Sequence, residues 1–187
     1  MGALSGGGPA LRELVRGHHR RGATRRHDVA LLPDLDALPR IAGRADTSEL
    51  VHQHVYDRRF VVAEASSAGH DDLTLERWRA ASHVIVSFER GGRGFVDELL
   101  AERGWSRRVA ASLTSFIGVA HLVERSRLLA VLPAEVVRAV GPGLRAWPVP
   151  IPVPTLPMWL AWHPSQTRDA RHRYLREIVA GALRACT

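Results

Sequence analysis

The chain contains no lysine: all 26 basic residues among its 187 are arginine. This absence excludes a lysine nucleophile, a Schiff-base lysine and the lysine of a phosphate-binding loop. Cysteine occurs once, at Cys186, so the sequence predicts neither a disulfide framework nor a thiolate metal site. We accordingly expect no resident metal and no cofactor.

Long apolar runs are also missing. The sequence has no stretch of 18 or more apolar residues, as a membrane-spanning helix needs, and residues 1–22 lack the apolar core of a signal peptide. It therefore predicts a cytoplasmic protein without a membrane partner. What the chain does contain is 45% hydrophobic and 24% charged residues, a composition typical of a folded globular protein.

The net charge of +7 is concentrated at one end of the chain. Residues 1–27 hold six arginines and one acid, giving +5, whereas the other 160 residues hold 20 arginines and 18 acids, giving +2. We interpret residues 1–27 as a basic, disordered tail that includes a short helix. Such a tail could also bind phosphates without sequence preference, so a non-specific nucleic-acid binder stays open as an alternative function.

From residue 83 onward, short apolar strands alternate with helices. "HVIVSF" (83–88) predicts a strand and "FVDELLAERG" (95–104) a helix; the strand "RVAASL", the helix "SFIGVAHLVER" and the strand "LLAVL" follow in turn. Such alternation is typical of βαβ units and a parallel sheet, and so of an α/β fold.

The end of the chain has a different pattern. Residues 144–164 are punctuated by prolines and predict a pair of extended strands, with the prolines confined to edges and turns. A last helix is predicted over 167–184, with Tyr174 and Ile178 in its apolar stripe and Arg176 on the opposite, solvent side.

Residues 28–187 resemble the effector-binding domain of a LysR-type transcriptional regulator. "DVALL" is similar to an early strand of that family, and the stretch from "HVIVSF" to "LPAEVV" is similar to its second lobe. The proline-rich strands and the last helix are similar to the family's return to the first lobe. The likeness rests on the order and spacing of elements over 160 residues rather than on one sharp motif.

The resemblance implies an α/β fold of two Rossmann-like lobes, similar to a periplasmic binding protein, with two crossover strands between them and the effector in the cleft. It places the first part of lobe 1 at residues 28–87, lobe 2 at 88–150 and the return to lobe 1 at 151–187. The first lobe would be truncated, because "DVALL" comes early. The family's winged helix-turn-helix is not found in these residues, so we expect DNA contact only through such an element. Self-association in the family's manner is left open.

One corner of the predicted sheet is the candidate binding site. In open α/β sheets, ligands bind beyond the carboxyl ends of strands, beside helix N-termini. Thr114 and Ser115 occupy that position, and their hydroxyls with the N–H groups of the following helix could hold a carboxylate. Phe116 could form a wall for an aromatic ring, and Ser87 with Phe88 would face the same site. The alternative is that Ser115 only caps its own helix.

Other candidate residues are better explained structurally. His52 and His54 share one strand face but lack a third metal ligand, which favours a solvated pair. His121 lies in an apolar helix and is interpreted as a core histidine. Asp97 and Glu98 begin a helix, where acids suit the helix dipole, and no catalytic partner is evident for either.

The combined interpretation is a ligand-sensing domain of a bacterial LysR-family regulator. It would bind a small aromatic or carboxylate effector and control DNA binding and transcription by the complete protein. An enzyme is not expected, because the GxSxG nucleophile elbow and a recognisable Ser/His/Asp order are both missing. An α/β hydrolytic enzyme stays open as an alternative, beside the nucleic-acid binder.

Overall fold

The computed structural model describes residues 29–32, 50–87 and 94–186, and the structural statements below concern these residues. The predicted tail (1–27) and Phe88 lie outside them. The described residues form eight strands and five α-helices. The strands are β1 (Ala30–Leu32), β2 (Val51–Arg58), β3 (Phe60–Ala65), β4 (Ser82–Val86), β5 (Arg108–Leu113), β6 (Ala130–Pro133), β7 (Leu144–Trp147) and β8 (Leu156–Trp162). The helices are α1 (Leu75–Ala80), α2 (Phe95–Ala101), α3 (Phe116–Glu124), α4 (Ala134–Val140) and α5 (Ala170–Ala185).

The chain divides into two compact units. Of the described residues, unit 1 comprises 29–32, 50–58 and 156–186, and unit 2 comprises 59–87 and 94–155. The first division falls between β2 and β3, because β3 pairs with β6 and β7 of unit 2 whereas β2 pairs with β8 of unit 1. The boundaries after residues 87 and 150, which the resemblance implies, stay predictions.

Unit 1 contains an antiparallel sheet in the order β1-β8-β2. Successive side chains of a strand point to opposite faces, so Met158, Leu160 and Trp162 of β8 share one face. They are buried there with Val55 and Tyr56 of β2, and Ala180 of α5 packs against the same cluster.

The orientation of α5 differs from the prediction. Tyr174 and Ile178, expected in the packed stripe, are 66% and 51% exposed, whereas Arg176, expected in solvent, is buried. The guanidinium of Arg176 lies 4.3 Å from the ring centroid of Trp162 and donates to the carbonyl of Gln166 at 3.3 Å. Its aliphatic stem can therefore be buried while the charged head keeps polar and aromatic partners.

Unit 2 contains five strands in two hydrogen-bonded sets. β6-β3-β7 is antiparallel and β4-β5 is parallel. Leu129, just before β6, joins the two sets: its carbonyl accepts from Val84 N at 2.9 Å and its N–H donates to Ser82 O at 2.9 Å. The predicted α/β fold is confirmed, with a mixed sheet in place of a purely parallel one.

Helices cover both faces of this sheet. Val119 and Val123 of α3, with Val137 of α4, form one apolar cluster with Ala63 and Leu132. On the other face, the buried residues belong to α1, α2 and the neighbouring strands: Trp78, Val96, Leu100, Val62 and Leu129. The neighbours Val62 and Ala63 of β3 enter different clusters, as alternation along a strand requires. Unit 2 is thus a helix–sheet–helix arrangement.

Candidate functional site

The predicted corner lies at the carboxyl ends of β4 and β5. These strands are parallel neighbours, and Val86 is paired with Leu113 at their ends. The next residue after β4, Ser87, is buried, and its N–H donates to the carbonyl of Leu113 at 2.9 Å. Because Thr114 and Ser115 directly follow Leu113, the structure brings the two predicted polar segments together at one edge of the unit 2 sheet.

Ser115 is the N-cap of α3. Its backbone is extended (φ −130°, ψ 124°), and its Oγ accepts a hydrogen bond from Gly118 N at 3.1 Å. Capping is therefore observed, and the positive end of the helix dipole lies at the corner as well.

The remaining predicted site residues differ in exposure. Thr114 and Ser115 are exposed, as a contact with a ligand from solvent would require. Phe116 is half-buried and packs against the apolar cluster of α3, so it is at least in part a core residue. Phe88 lies outside the described residues.

A buried ion pair beside this corner was not predicted from the sequence. Arg107 Nε donates to Asp97 Oδ1 at 2.7 Å, and their side chains are 2% and 16% exposed. The other carboxylate oxygen of Asp97 accepts from Gly94 N at 2.7 Å. The position of Asp97 at the start of a helix indicated only a dipole effect, whereas Arg107 ten residues later gave no local signal.

His83 lies next to this pair and is fully buried. Its Nε2 is 2.8 Å from the carbonyl of Trp78, which requires the Nε2–H tautomer. Burial and the nearby charge of Arg107 lower the pKa of His83 to about 4, although the Trp78 carbonyl and Asp97 act in the opposite direction. His83 is therefore neutral near pH 7. Its Nδ1 and Arg107 Nη1 are buried without a hydrogen-bond partner among the described residues, as are Arg77 Nε and Trp78 Nε1 elsewhere in unit 2.

A second buried charge in unit 2 is Glu64 on β3. Its carboxylate accepts from Arg77 Nη1 at 2.7 Å and Trp147 Nε1 at 2.8 Å, and it is bonded to His70 Nδ1 at 2.8 Å. Burial acts to raise the pKa of Glu64, but these hydrogen bonds and the charge of Arg77 outweigh burial, so the pKa lies below its ordinary 4.5. This arrangement binds the carboxylate from several sides and fits a structural role.

The other sequence candidates have ordinary surroundings. His52 and His54 lie at 5.6 and 5.1 Å from the ring of Trp159, and His54 Nε2 is 2.9 Å from Asp57 Oδ1. The described ranges contain no cluster of three or more residues suited to a metal ion. The interpretation of His121 as a core residue is wrong: its side chain is 57% exposed and Nδ1 lies 3.2 Å from Glu124 Oε2, because this position of α3 faces away from the sheet.

Comparison with known proteins gives the family. Residues 23–184 match the LysR substrate binding domain family. The chain is 32% identical over 111 residues to the HTH-type transcriptional activator NahR of Pseudomonas putida, and the matched region covers 58% of this chain and 37% of that protein. It is similar to the crystal structure of the regulatory domain of MexT, a transcriptional activator in Pseudomonas aeruginosa (27% identity, TM-score 0.59, 71% of this chain and 66% of that one). The fold is also that of the effector-binding domain of QuiR in complex with shikimate (15% identity, TM-score 0.55, 80% and 68%).

The chain belongs to the LysR substrate-binding domain family, in agreement with the resemblance seen in the sequence. It spans little more than a third of the length of the curated relatives it matches, 37% and 36% for two of them. The matched family is that of a binding domain of transcriptional regulators rather than of an enzyme. In the part of the chain that the structure describes, no helix combines the length and apolar character needed to cross a membrane.

Proposed function

We propose that this domain senses a small organic anion, most simply an aromatic or hydroxylated carboxylate, at the corner formed by Ser87, Thr114 and Ser115. In the complete regulator, binding there changes how a DNA-binding element contacts its operator, in the cytoplasm. DNA contact and self-association belong to that complete protein. The domain itself carries no catalytic step in this proposal.

The observation that carries the proposal is the convergence of two parallel strand ends and a helix N-terminus at one corner. Ser87 N is bonded to Leu113 O, and exposed Thr114 and Ser115 follow at the start of α3. Hydroxyl groups and the positive end of a nine-residue helix suit a carboxylate. The QuiR effector-binding domain, which shares the fold, was solved with the carboxylate shikimate.

The proposal is tested by thermal unfolding in the presence of benzoates, salicylates and short dicarboxylates at millimolar concentration. A compound that binds only the folded state raises the melting temperature. Neutral amides of the same rings are the matched controls for the charge. We expect a carboxylate to shift the melting temperature and its amide not to. If no acid in the series shifts it, or if the amide shifts it equally, sensing of an organic anion is contradicted.

Two variants locate the site. Thr114→Ala and Ser115→Ala are expected to reduce the ligand-induced shift. Ser115→Ala also lowers the melting temperature without ligand, because it removes the helix cap at a cost of about 1 kcal/mol. Thr155→Ala removes an exposed hydroxyl elsewhere in unit 2 and is the control. A shift that survives both corner variants undiminished would contradict this corner as the site.

A further inference from the structure

We infer that Arg107 is a positioning residue for the proposed effector site and that it acts through Asp97. It holds the start of α2 against the carboxyl end of β4, next to Ser87. The inference rests on the proposed function, because it concerns the same corner.

Arg107 has an unusual location for an arginine. It immediately precedes β5, at the amino end of the strand, yet its side chain is buried and its Nε reaches Asp97 in the first turn of α2 at 2.7 Å. The guanidinium thus extends under α2 instead of into solvent. Arginine is suited to such a position, since its planar fork fixes direction as well as charge.

The guanidinium, the start of α2 and the end of β4 meet at Gly94. Asp97 Oδ2 accepts from Gly94 N at 2.7 Å, which closes the first turn of the helix. A methyl group built on Gly94 would lie 3.7 Å from the carbonyl oxygen of Val86 and 3.9 Å from Arg107 Nη2. One carboxylate therefore connects a buried cation to the residue that begins α2, and that residue lies against the last residue of β4.

The end of β4 is hydrogen-bonded to the end of β5, which leads into Thr114 and Ser115. Ser87 follows Val86, and its N–H is bonded to Leu113 O, the residue before Thr114. A buried ion pair contributes little net stability compared with apolar side chains of the same size, but it fixes geometry when its hydrogen bonds are directional. Without Arg107, Asp97 keeps a half-buried charge without this partner, and the start of α2 is no longer fixed beside Ser87.

The test compares four single variants by hydrogen exchange and by salicylate binding. Arg107→Gln and Asp97→Asn break the pair, and Arg107→Lys keeps the charge as a rescue. Arg103→Gln is the matched control, because Arg103 is exposed in the turn after α2 and donates to Leu99 O at 2.7 Å. We expect the amides of residues 94–97 to exchange at least tenfold faster in Arg107→Gln and less than twofold faster in Arg103→Gln. Arg107→Lys is expected to remain within threefold of the wild type.

The affinity for salicylate distinguishes a positioning role of Arg107 from a contribution to stability alone. Under conditions where wild type and Arg107→Gln are both fully folded, the Kd for salicylate is expected to rise at least tenfold in Arg107→Gln. Combining Arg107→Gln with Asp97→Asn adds little further loss, because the two residues act as one unit.

Several results overturn the inference. It is wrong if exchange at 94–97 is unchanged in Arg107→Gln, if Arg103→Gln has the same effect, or if exchange rises evenly across unit 2 while the Kd is unaltered. If Arg107→Gln does not fold, the same measurements on Asp97→Asn decide. If neither salicylate nor any other acid binds the wild type, the proposed function fails separately, and the exchange at 94–97 alone decides on the positioning role.

Discussion

Unit 2 contains two buried charge clusters that are built differently. The Glu64 cluster consists of Glu64, His70, Arg77 and Trp147, and three side chains bond its central carboxylate. The Arg107 cluster consists of His83, Asp97 and Arg107, and its central carboxylate is bonded by one side chain, Arg107, and by the N–H of Gly94. Among the described residues, both clusters leave nitrogen atoms buried without a hydrogen-bond partner: Arg77 Nε in the first, and His83 Nδ1 and Arg107 Nη1 in the second. Buried polar atoms are nearly always bonded in folded proteins.

The difference follows the location of each cluster. The Glu64 cluster connects β3 to two other segments of the chain. Arg77 bonds Glu64 and also donates to the carbonyl of Asp72, before α1, and Trp147 of β7 donates to Glu64 as well. The Arg107 cluster lies beside the candidate corner. The Glu64 carboxylate thus joins several segments of unit 2, whereas Arg107 joins the start of α2 to the residue before β5. We expect the Glu64 cluster to contribute mainly to the stability of unit 2 and the Arg107 cluster mainly to the geometry of the proposed corner.

The largest effect is expected from removing the central charge of the Glu64 cluster. Glu64→Gln turns one acceptor oxygen into a donor facing Arg77, Trp147 and His70, and it removes the charge that Arg77 pairs with. We expect the free energy of unfolding to fall by about 3–4 kcal/mol, as for removal of one partner of a buried pair. Urea unfolding measures this change.

The control for that prediction is Glu76→Gln in the exposed first turn of α1, which should cost less than about 0.5 kcal/mol. A loss at Glu64 no larger than at Glu76 would contradict a stabilising role of the Glu64 cluster.

The pH dependence of the free energy of unfolding distinguishes the two clusters, because they lose their contributions in different pH ranges. Unfolded His83 binds a proton below its ordinary pKa of 6.5, whereas folded His83 resists protonation down to about 4. The free energy of unfolding should therefore fall as the pH drops from 6.5 to 4, by about 3 kcal/mol for a shift of this size. Glu64, with its lowered pKa, keeps its contribution above about 4.5 and loses it only at lower pH.

His83→Gln, which retains an N–H for the Trp78 carbonyl, should remove most of the slope between pH 6.5 and 4. His163→Gln, at an exposed histidine, should leave the slope as in the wild type. Denaturant midpoints measured at half-unit pH steps give both slopes. Equal slopes in the wild type and in His83→Gln would contradict a buried, neutral His83.

The smallest effect is expected at the rim of the Glu64 cluster. Arg145 is exposed, lies 5.2 Å from the ring centroid of Trp147 and donates to the carbonyl of His70. Arg145→Gln should cost about 0.5–1 kcal/mol, the range for an exposed cation over an aromatic ring. A loss as large as that of Glu64→Gln, measured in the same urea series, would show that exposed Arg145 contributes as much to the free energy of unfolding as the buried carboxylate.

What the sequence predicted was local. The strands and helices around Thr114 and Ser115 follow from apolar periodicity and from a hydroxyl before a helix, and the adjacency of Ser87 follows from the rule that parallel strand ends share an edge. The partners of buried charges were not predictable in this way. Asp97 and Arg107 are ten residues apart, and Glu64 meets Trp147 across 83 residues, so only the tertiary fold brings them together.

The errors on helix faces have a related cause. Arg176 is buried because Trp162 and a backbone carbonyl receive its guanidinium, and His121 is exposed because α3 turns that position away from the sheet. A hydrophobicity pattern ranks side chains by type, whereas burial depends on the neighbours that each side chain finds.

Carboxylate sensing at the corner is tested most directly by a map of amide chemical shifts in the ¹⁵N-labelled domain as salicylate is added. We expect saturable changes concentrated at Ser87 and residues 114–118, where the strand ends and the helix start converge, and no comparable change with salicylamide. Changes centred on the Glu64 cluster or on unit 1, or changes of equal size with the neutral amide, would contradict a carboxylate-sensing corner.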